Sequence, residues 1–147
     1  MNTIKLKQLH LDARLPEYKT EQANGADLFA CNDDEIYLHA QGQSQLIPLG
    51  FSMELPGGYA ALLLPRSGLG HKQGIVLGNL VGLIDSDYRG EVFVSLWNRG
   101  LDLVKIKNGD RIAQMLIVHA PQYQFEWAQE LDETERGEGG FGSTGEK

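Results

Sequence analysis

The stretch VFVSLWNRGLDLVKIKNGDRIAQMLI, residues 92–117, contains the pattern from which we derive the fold class. Apolar residues occupy every second position from Val92 to Leu96, and a period of two is typical of a half-buried strand. Turn-forming residues follow at 98–100 (NRG) and at 107–110 (KNGD), and each group separates one apolar run from the next. The stretch therefore predicts short β-strands joined by tight turns.

The same alternation recurs in both directions along the chain, at Ile4/Leu6, Ile36/Leu38, Phe51/Met53/Leu55 and Tyr123/Phe125/Trp127. No stretch has a helical apolar period sustained over three turns, and at most residues 67–72 form one helical turn. Many short strands divided by Gly, Pro and Asn predict an all-β, jelly-roll-like sandwich or barrel. Apolar residues become rare from Asp132 onward, so we expect a β domain over residues 1–131 and a flexible, glycine-rich arm over 132–147.

Composition restricts the classes of function. The chain has 13 Lys and Arg against 20 Asp and Glu, a formal charge of −7, which argues against broad nucleic-acid binding. No apolar run is long enough to span a membrane, and the N-terminus does not resemble a secretory signal. Cys31 is the only cysteine, so no intrachain disulfide forms, which fits a cytoplasmic protein. A small anionic ligand would need a few local arginines and a divalent cation.

The first stretch that could carry chemistry is LPRSGLG, residues 64–70. Pro65 and Gly68 predict a tight turn directly after an apolar run, which presents Arg66 and Ser67 at the end of a strand. A guanidinium, a hydroxyl and backbone amides suit phosphate oxygens. The alternative is an ordinary surface turn with a solvated arginine.

The second stretch is GNLVGLIDSDYRG, residues 78–90. Asp85 follows an apolar pair and precedes a polar turn, so we expect its carboxylate at the rim of the core, where it can orient and deprotonate water. The alternative is an acidic hairpin turn. An EF-hand calcium loop is rejected, because the twelfth position is Leu96 where a bidentate glutamate is required.

Two further stretches lie toward the C-terminus. In residues 108–117 (NGDRIAQMLI), strict alternation places Arg111 and Gln114 on opposite faces of a strand; the alternative is a hairpin with a surface ion pair. Residues 136–147 (RGEGGFGSTGEK) spell a dinucleotide-binding fingerprint, but no long helix can follow it. An arm with Arg136 and Phe141 among glycines could instead wrap a nucleotide, and simple disorder is the alternative.

Taken in order, these four stretches resemble the motifs of the trimeric dUTPase family, and residues 25–28 (GADL) resemble its first motif. The first match is the loosest, because Asn24 and Ala26 depart from the family pattern. The resemblance runs from about residue 24 to about residue 145, and five motifs in order are far more specific than any one. It implies a homotrimer with active sites at subunit interfaces, which hydrolyses dUTP to dUMP and pyrophosphate with Mg²⁺. It also implies that this reaction keeps uracil out of DNA and supplies dUMP for thymidylate synthesis.

The resemblance also implies roles for single residues. Asp85 is the expected base for the attacking water, and Arg66, Ser67 and Gly68 hold the α- and β-phosphates together with Gln114. The chain has no evident cluster of metal ligands, so Mg²⁺ is expected on the substrate phosphates and water.

For the nucleoside, the resemblance implies that Asn79 and the backbone of Leu83, Ile84 and Asp85 read the uracil edge. Tyr88 is expected under the deoxyribose, and Phe93 lines the same pocket from the face opposite Val92 and Val94.

In the arm, Arg136 is the implied ligand of the γ-phosphate and Phe141 the ring stacked on uracil, while Gly142 and Ser143 close over the triphosphate.

Two rival functions remain. A dCTP deaminase of the same fold would carry a catalytic glutamate where this chain has Ser95. A nucleotide-binding protein without activity would be expected to lack Asp85 or the arm, and this chain has both.

Overall fold

The computed structural model of the chain describes residues 3–140, which form an antiparallel β-structure with one short helix. The described strands are β1 Lys5–Gln8, β2 Ala26–Phe29, β3 Ile36–Leu38, β4 Gln45–Pro48, β5 Phe51–Glu54, β6 Tyr59–Leu64, β7 Ile75–Leu77, β8 Gly82–Ile84, β9 Phe93–Asn98, β10 Val104–Ile106 and β11 Arg111–His119. The helix of this part of the chain, α1, spans Ser67–Gln73. The prediction of an all-β chain is confirmed, and α1 begins where a helical turn was expected. No helix in residues 3–140 has the length and apolar character needed to cross a membrane.

Two larger sheets enclose the core. One contains β2, β11, β6 and β8 in that order, and the other contains β4, β9 and β7. The strand pairs β1–β5 and β3–β10 form two smaller ribbons. Leu28 and Leu63 from the first sheet share one apolar cluster with Ile47, Leu77 and Leu96 from the second. Burial of the two inner faces against each other produces the jelly-roll-like sandwich.

Strand β9 shows why the alternation in residues 92–117 was informative. Val94 and Leu96 are completely buried, as is Val92 just before the strand, whereas Phe93 is 38% exposed on the other face. Successive side chains of a strand point to opposite faces, so one face of β9 enters the core while the other stays accessible. The predicted orientation of Phe93, opposite Val92 and Val94, is therefore confirmed.

Asn98, at the end of β9, organises the turn that follows. Its Nδ2 donates to the backbone oxygens of Leu38 (2.8 Å) and Asp102 (2.7 Å), and its Oδ1 accepts from the backbone N–H of Gly100 (2.9 Å). Asn98 is 1% exposed, so these bonds satisfy the donor and acceptor groups of a buried amide. The amide side chain thereby joins the turn after β9 to strand β3.

Strand β11 contains a β-bulge that overturns one prediction. Its register pairs Arg111 with Phe29 and Gln114 with Asp27, and the register shifts between Arg111 and Ala113. Phe29 and Asp27 are two residues apart on β2 and share a face, so Arg111 and Gln114 also share that face. The expectation of opposite faces was wrong, because the bulge adds one residue to β11.

The alternating residues Tyr123, Phe125 and Trp127 do not form a strand in the described chain, and this prediction was wrong. Their side chains are 74%, 94% and 103% exposed. An alternating run becomes a strand only where another strand offers a free edge, and within residues 3–140 none pairs with this segment. Three exposed aromatic rings at alternate positions are nevertheless unusual for a solvent-exposed surface.

Candidate active site

The end of strand β6 presents the phosphate-type residues. Pro65 follows β6, Arg66 continues in an extended conformation (φ −78°, ψ 131°), and α1 begins at Ser67. The chain therefore stays extended through Arg66 and changes direction at Ser67, which follows the expected turn after the apolar run. Ser67 and Gly68 are exposed, and the space beside Gly68 is open, since a Cβ added to this glycine would have no described neighbour within 4 Å.

A three-residue ionic cluster lies beside this turn. The Arg66 Nε is 3.3 Å from Asp27 Oδ1, and the Arg111 Nη1 is 3.0 Å from Asp27 Oδ2. Arg66 Nη1 also donates to the backbone oxygen of Arg111 at 3.0 Å. Two guanidinium groups thus share one carboxylate, which leaves one net positive charge. The Arg111 side chain is 43% exposed, so that charge remains available to an anion from outside.

Gln114 belongs to the same group. Its Nε2 donates to the backbone oxygen of Pro65 at 2.9 Å, which ties β11 to the turn that carries Arg66. Its Oε1 lies against Gly25, where an added Cβ would be only 2.5 Å away. Gly25 therefore provides the space that the Gln114 amide occupies, and three of the sequence motifs meet at this point.

More positive charge surrounds β2. The Arg14 guanidinium carbon lies 3.8 Å from the centre of the Phe29 ring, as expected for a cation–π contact. Lys19 is neutralised by Glu17 at 2.7 Å, and the hydrogen bond from Lys19 is the main reason why the pKa of Glu17 is lowered. Arg14 therefore adds to the local positive potential, whereas Lys19 does not.

A cavity of about 370 Å³ opens beside the cluster, lined by Arg66, Leu69, Gln73, Asp110 and Arg111 among others. Both arginines of the ionic cluster line it. A concave surface with converging arginines suits a polyanion, although the chain as a whole carries −7.

Asp85 lies on a second part of the surface. Strand β8 ends at Ile84, and the next four residues form a turn in which the N–H of Tyr88 donates to the backbone oxygen of Asp85 (3.2 Å). Asp85 is exposed and lines a cavity of about 500 Å³ together with Ala60, Asp87 and Gln122. Its carboxylate is open to water, as a general base requires.

Tyr88 is held over its own loop. Its hydroxyl donates to the backbone oxygen of Glu91 at 2.9 Å, and its ring lies so close to Gly90 that an added Cβ would overlap it. The ring is 43% exposed. The hydroxyl end of Tyr88 thus packs on the chain, and the exposed part of the ring is free to contact a planar or puckered ring.

The segment with Asn79 links the two larger sheets. β7 pairs with β9 of the three-stranded sheet, whereas β8 pairs with β6 of the four-stranded sheet. Among the described strands, β7 and β8 do not pair with each other, so this stretch crosses from one sheet to the other. Asn79 is exposed in the crossing, and Leu80 takes a left-handed backbone conformation (φ 65°). Such strained residues concentrate at binding sites.

The described chain does not bring Asp85 and Arg66 together. The register pairs Ile84 with Ala61, so Asp85 lies beside Ala60, while Arg66 follows six residues farther along an extended segment. At about 3.3 Å per residue, this separation is roughly 20 Å. The cavities at Asp85 and at Arg66 have no lining residue in common. The candidate site is thus in two halves within one chain.

Arg136 reaches neither half. Its Nε donates to the backbone oxygen of Gly139 at 2.8 Å, which closes a local turn, and it lines neither cavity. The remaining predicted residues of the arm, Phe141, Gly142 and Ser143, lie outside the described residues.

Two members of the ionic cluster, Asp27 and Arg111, were not among the predicted site residues. The signal for Asp27 was its position inside the buried run ADLF of β2, where a carboxylate needs a charged partner. Its partners are distant in sequence, so only the fold reveals them. In residues 3–140 there is no group of three or more His, Cys, Asp or Glu side chains arranged to hold a metal ion.

Comparison with known proteins identifies the family. The family model described as dUTPase matches residues 12–145. The chain is 58% identical over 132 residues to the deoxyuridine 5'-triphosphate nucleotidohydrolase of Gamma-proteobacterium EBAC31A08, covering 89% of this chain and 94% of the relative. It is 55% identical over 142 residues to that of Hahella chejuensis, covering 96% and 93%.

A solved structure of a mutant dUTPase from Staphylococcus bacteriophage 80alpha, with dUpNHpp, superposes with a TM-score of 0.89 at 28% identity and covers 99% of both chains. The family, the all-β fold and the class of enzyme predicted from the sequence are therefore confirmed. This chain belongs to the dUTPase family.

Proposed function

We propose that this chain hydrolyses dUTP to dUMP and pyrophosphate at active sites that the subunits of a homotrimer share. The observation that carries this proposal is the meeting of Arg66, Arg111 and Gln114 around Asp27, combined with a separate, exposed Asp85. The first group suits phosphates and the second suits activation of water. Membership of the dUTPase family supports the same activity.

The phosphate half is assigned to the turn after β6. Arg66 is already oriented by Asp27, so little side-chain freedom is lost when it binds a phosphate. Ser67 and Gly68 supply a hydroxyl and backbone N–H groups on the exposed side of the turn. Gln114 is placed beside them by its bond to Pro65. Together they hold the α- and β-phosphates in one orientation.

Asp85 is assigned as the general base. It takes a proton from a water molecule whose oxygen forms a bond to the α-phosphorus. The bond from that phosphorus to the bridging oxygen breaks in line with the attack, and pyrophosphate leaves with the electron pair. A positioned base of this kind contributes about 10²–10⁴-fold to the rate. Phosphoryl transfer depends on position and charge neutralisation for the rest.

Mg²⁺ enters this proposal as part of the substrate, bound to the triphosphate and water. The carboxylate of Asp27 is occupied by two arginines, and residues 3–140 contain no cluster of carboxylates or histidines that would form a cage. This donor set fits a cation that arrives with its own phosphate and water ligands. When bound, Mg²⁺ neutralises phosphate charge, which matters for a chain with a net charge of −7.

The segment from Asn79 to Asp85 is assigned to the nucleoside. The Asn79 amide and the backbone of Leu83 and Ile84 present donors and acceptors to the uracil edge. Cytosine reverses one donor and leaves polar groups unpaired, which costs much binding energy. The exposed part of the Tyr88 ring packs on the deoxyribose and excludes a 2′-hydroxyl, with Phe93 near the same pocket.

The shared site is supported by the separation of the two halves. Groups that act on one α-phosphate cannot be about 20 Å apart in the same chain, so Asp85 must meet Arg66 of another copy. The exposed rings of Tyr123, Phe125 and Trp127 also support contact with another copy, because they need an apolar surface that this chain does not offer in its described residues. The number of three subunits comes from the family resemblance.

The C-terminal segment, residues 132–147, is assigned as an arm that closes over the bound nucleotide. Arg136 would bind the γ-phosphate, Phe141 would stack on uracil, and Gly142 and Ser143 would cover the triphosphate. In the cell, the reaction would lower dUTP, keep uracil out of DNA and supply dUMP for thymidylate synthesis. We assign it to the cytoplasm, where the single cysteine of the chain stays reduced.

Pyrophosphate release from dUTP, dCTP, dTTP and UTP, with and without Mg²⁺, tests the reaction. We expect release from dUTP alone, and ammonia from dCTP would instead indicate a deaminase. In Asp85→Asn, kcat for dUTP should fall about 10²–10⁴-fold while binding of dUpNHpp persists. Asp87→Asn removes the same charge from the same turn and is the matched control. Near-normal turnover in Asp85→Asn would show that another group activates the water.

A further inference from the structure

The turn that carries Asp85 and Tyr88 has little support of its own. It leaves β8, the edge strand of its sheet, and every residue from Asp87 to Gly90 is exposed. The only backbone bond that closes it runs, within the described residues, from the Tyr88 N–H to Asp85 at 3.2 Å, which is long for such a bond. Exposed segments with few buried contacts open locally at little cost. Something else must hold Asp85 in place.

Arg89 supplies that support from behind the turn. Its Nη1 donates to the backbone oxygen of Ser86 at 2.7 Å and to that of Tyr88 at 3.0 Å. One charged nitrogen thus joins a carbonyl in the middle of the turn to the carbonyl at its end. Hydrogen bonds from a charged donor are about twice as strong as neutral ones.

The guanidinium of Arg89 donates hydrogen bonds to these carbonyl oxygens and does not pair with a carboxylate of the described residues. No Asp or Glu oxygen in residues 3–140 lies within 4.0 Å of an Arg89 nitrogen, although Asp85 and Asp87 are close in sequence. Because Arg89 does not pair with Asp85, the carboxylate keeps its lone pairs for water. The side chain therefore acts on the shape of the turn.

A second anchor fixes the far end of the loop. Glu91 accepts the Tyr88 hydroxyl on its backbone oxygen, and its side chain accepts the N–H of Gly50 at 3.1 Å. Val92, which follows, is completely buried. Along the chain, Arg89 lies between this end and the edge strand, so its two bonds add to the Tyr88 contacts in fixing the position of the exposed turn.

We propose that Arg89 is a positioning residue of the active site, which holds Asp85 and Tyr88 in their working orientation by clamping the carbonyls of Ser86 and Tyr88. This inference rests on the proposed dUTP hydrolysis. A misplacement of about 1 Å at a reacting group can cost about 100-fold in rate. Loss of the clamp should thus affect turnover more than binding.

The test compares Arg89→Met, which keeps an unbranched apolar stem but has no donor, with Arg89→Lys, which keeps one charged nitrogen. Arg99→Met is the control, since Arg99 is an exposed arginine in the turn after β9 without a side-chain hydrogen bond in the described chain. We expect kcat for dUTP to fall about 10- to 100-fold in Arg89→Met, with KM changed less than about threefold. Arg89→Lys should recover most of the loss, and Arg99→Met should match the wild type.

A second readout does not depend on catalysis. Hydrogen exchange of the Tyr88 amide, which bonds Asp85, should be about tenfold faster in Arg89→Met and close to wild type in Arg89→Lys. Thermal unfolding of each variant confirms that it is folded. The proposed role of Arg89 would be contradicted by unchanged exchange of the Tyr88 amide in Arg89→Met, by unchanged kcat in that variant, or by no recovery in Arg89→Lys. If the wild type releases no pyrophosphate from dUTP, the proposed function fails, and the exchange measurement still decides the role of Arg89.

Discussion

The separation of Asp85 from Arg66 leads to a quantitative prediction about mixed oligomers. Six residues of extended chain, about 20 Å, lie between the position of β6 beside Asp85 and Arg66. Atoms that contact one phosphate group lie within about 3 Å of its oxygens, and no side chain spans the remaining distance. If Asp85 and Arg66 act on the same phosphate, as we propose, a complete site combines Asp85 of one subunit with Arg66 of another.

The perturbation is to mix two inactive variants, Asp85→Asn and Arg66→Ala, by coexpression or by joint refolding. Arg111 still pairs with Asp27 in the second variant, so the carboxylate is not left without a partner. A site is complete only when its Asp85 comes from an Arg66→Ala chain and its Arg66 comes from an Asp85→Asn chain. In a random equal mixture each condition holds with probability about one half, so roughly 25% of sites are intact.

The assay is pyrophosphate release from dUTP by the mixture and by each variant alone. If each substitution alone lowers kcat at least about 100-fold, the mixture should exceed either variant by at least about 25-fold. The control mixes Asp85→Asn with a chain that carries both substitutions, in which no site has an Asp85 and no gain is expected. Mixing without any gain would refute the reasoning, because a site contained within one chain never regains both residues.

Two further predictions concern single contacts. Gly25→Ala should push the Gln114 amide aside and lower kcat/KM for dUTP about tenfold, with no further loss when it is added to Gln114→Ala; additive losses would contradict the contact. Asn98→Ala should lower the free energy of unfolding by about 1–3 kcal/mol in urea titrations, because the buried carbonyl of Leu38 loses its donor. Asn108→Ala, at an exposed position, is the control for Asn98→Ala and should change the free energy of unfolding by less than about 0.5 kcal/mol.

Local patterns were sufficient for much of the fold. The alternation around Val94 predicted β9, and the turn residues that follow it end the strand where the structure ends it. Pro65 correctly indicated a break after β6. These predictions succeeded because burial on one face of a strand, and the backbone limits of Pro and Gly, act over only a few residues.

Other features could not be read in this way. The bulge in β11 moves Arg111 onto the face of Gln114, because the pairing partner sets the register and the partner strand β2 lies far away in sequence. The alternating rings from Tyr123 to Trp127 have the period of a strand but no edge to pair with in the described part of one chain. Alternation along the chain shows which side chains share one face of a strand, but it does not show what covers that face.

The sequence by itself determined the all-β class, the family and the residue types at each motif, since these depend on short-range patterns and on the order of the motifs. Only the tertiary structure decided that Asp27 joins Arg66 to Arg111, that Gly25 leaves room for Gln114, and that Asp85 lies far from Arg66 of the same chain. The physical reason is that strand pairing brings together residues far apart in the sequence, such as Asp27 and Arg111, which are 84 positions apart, and the position of an oxygen or nitrogen atom is set by that pairing.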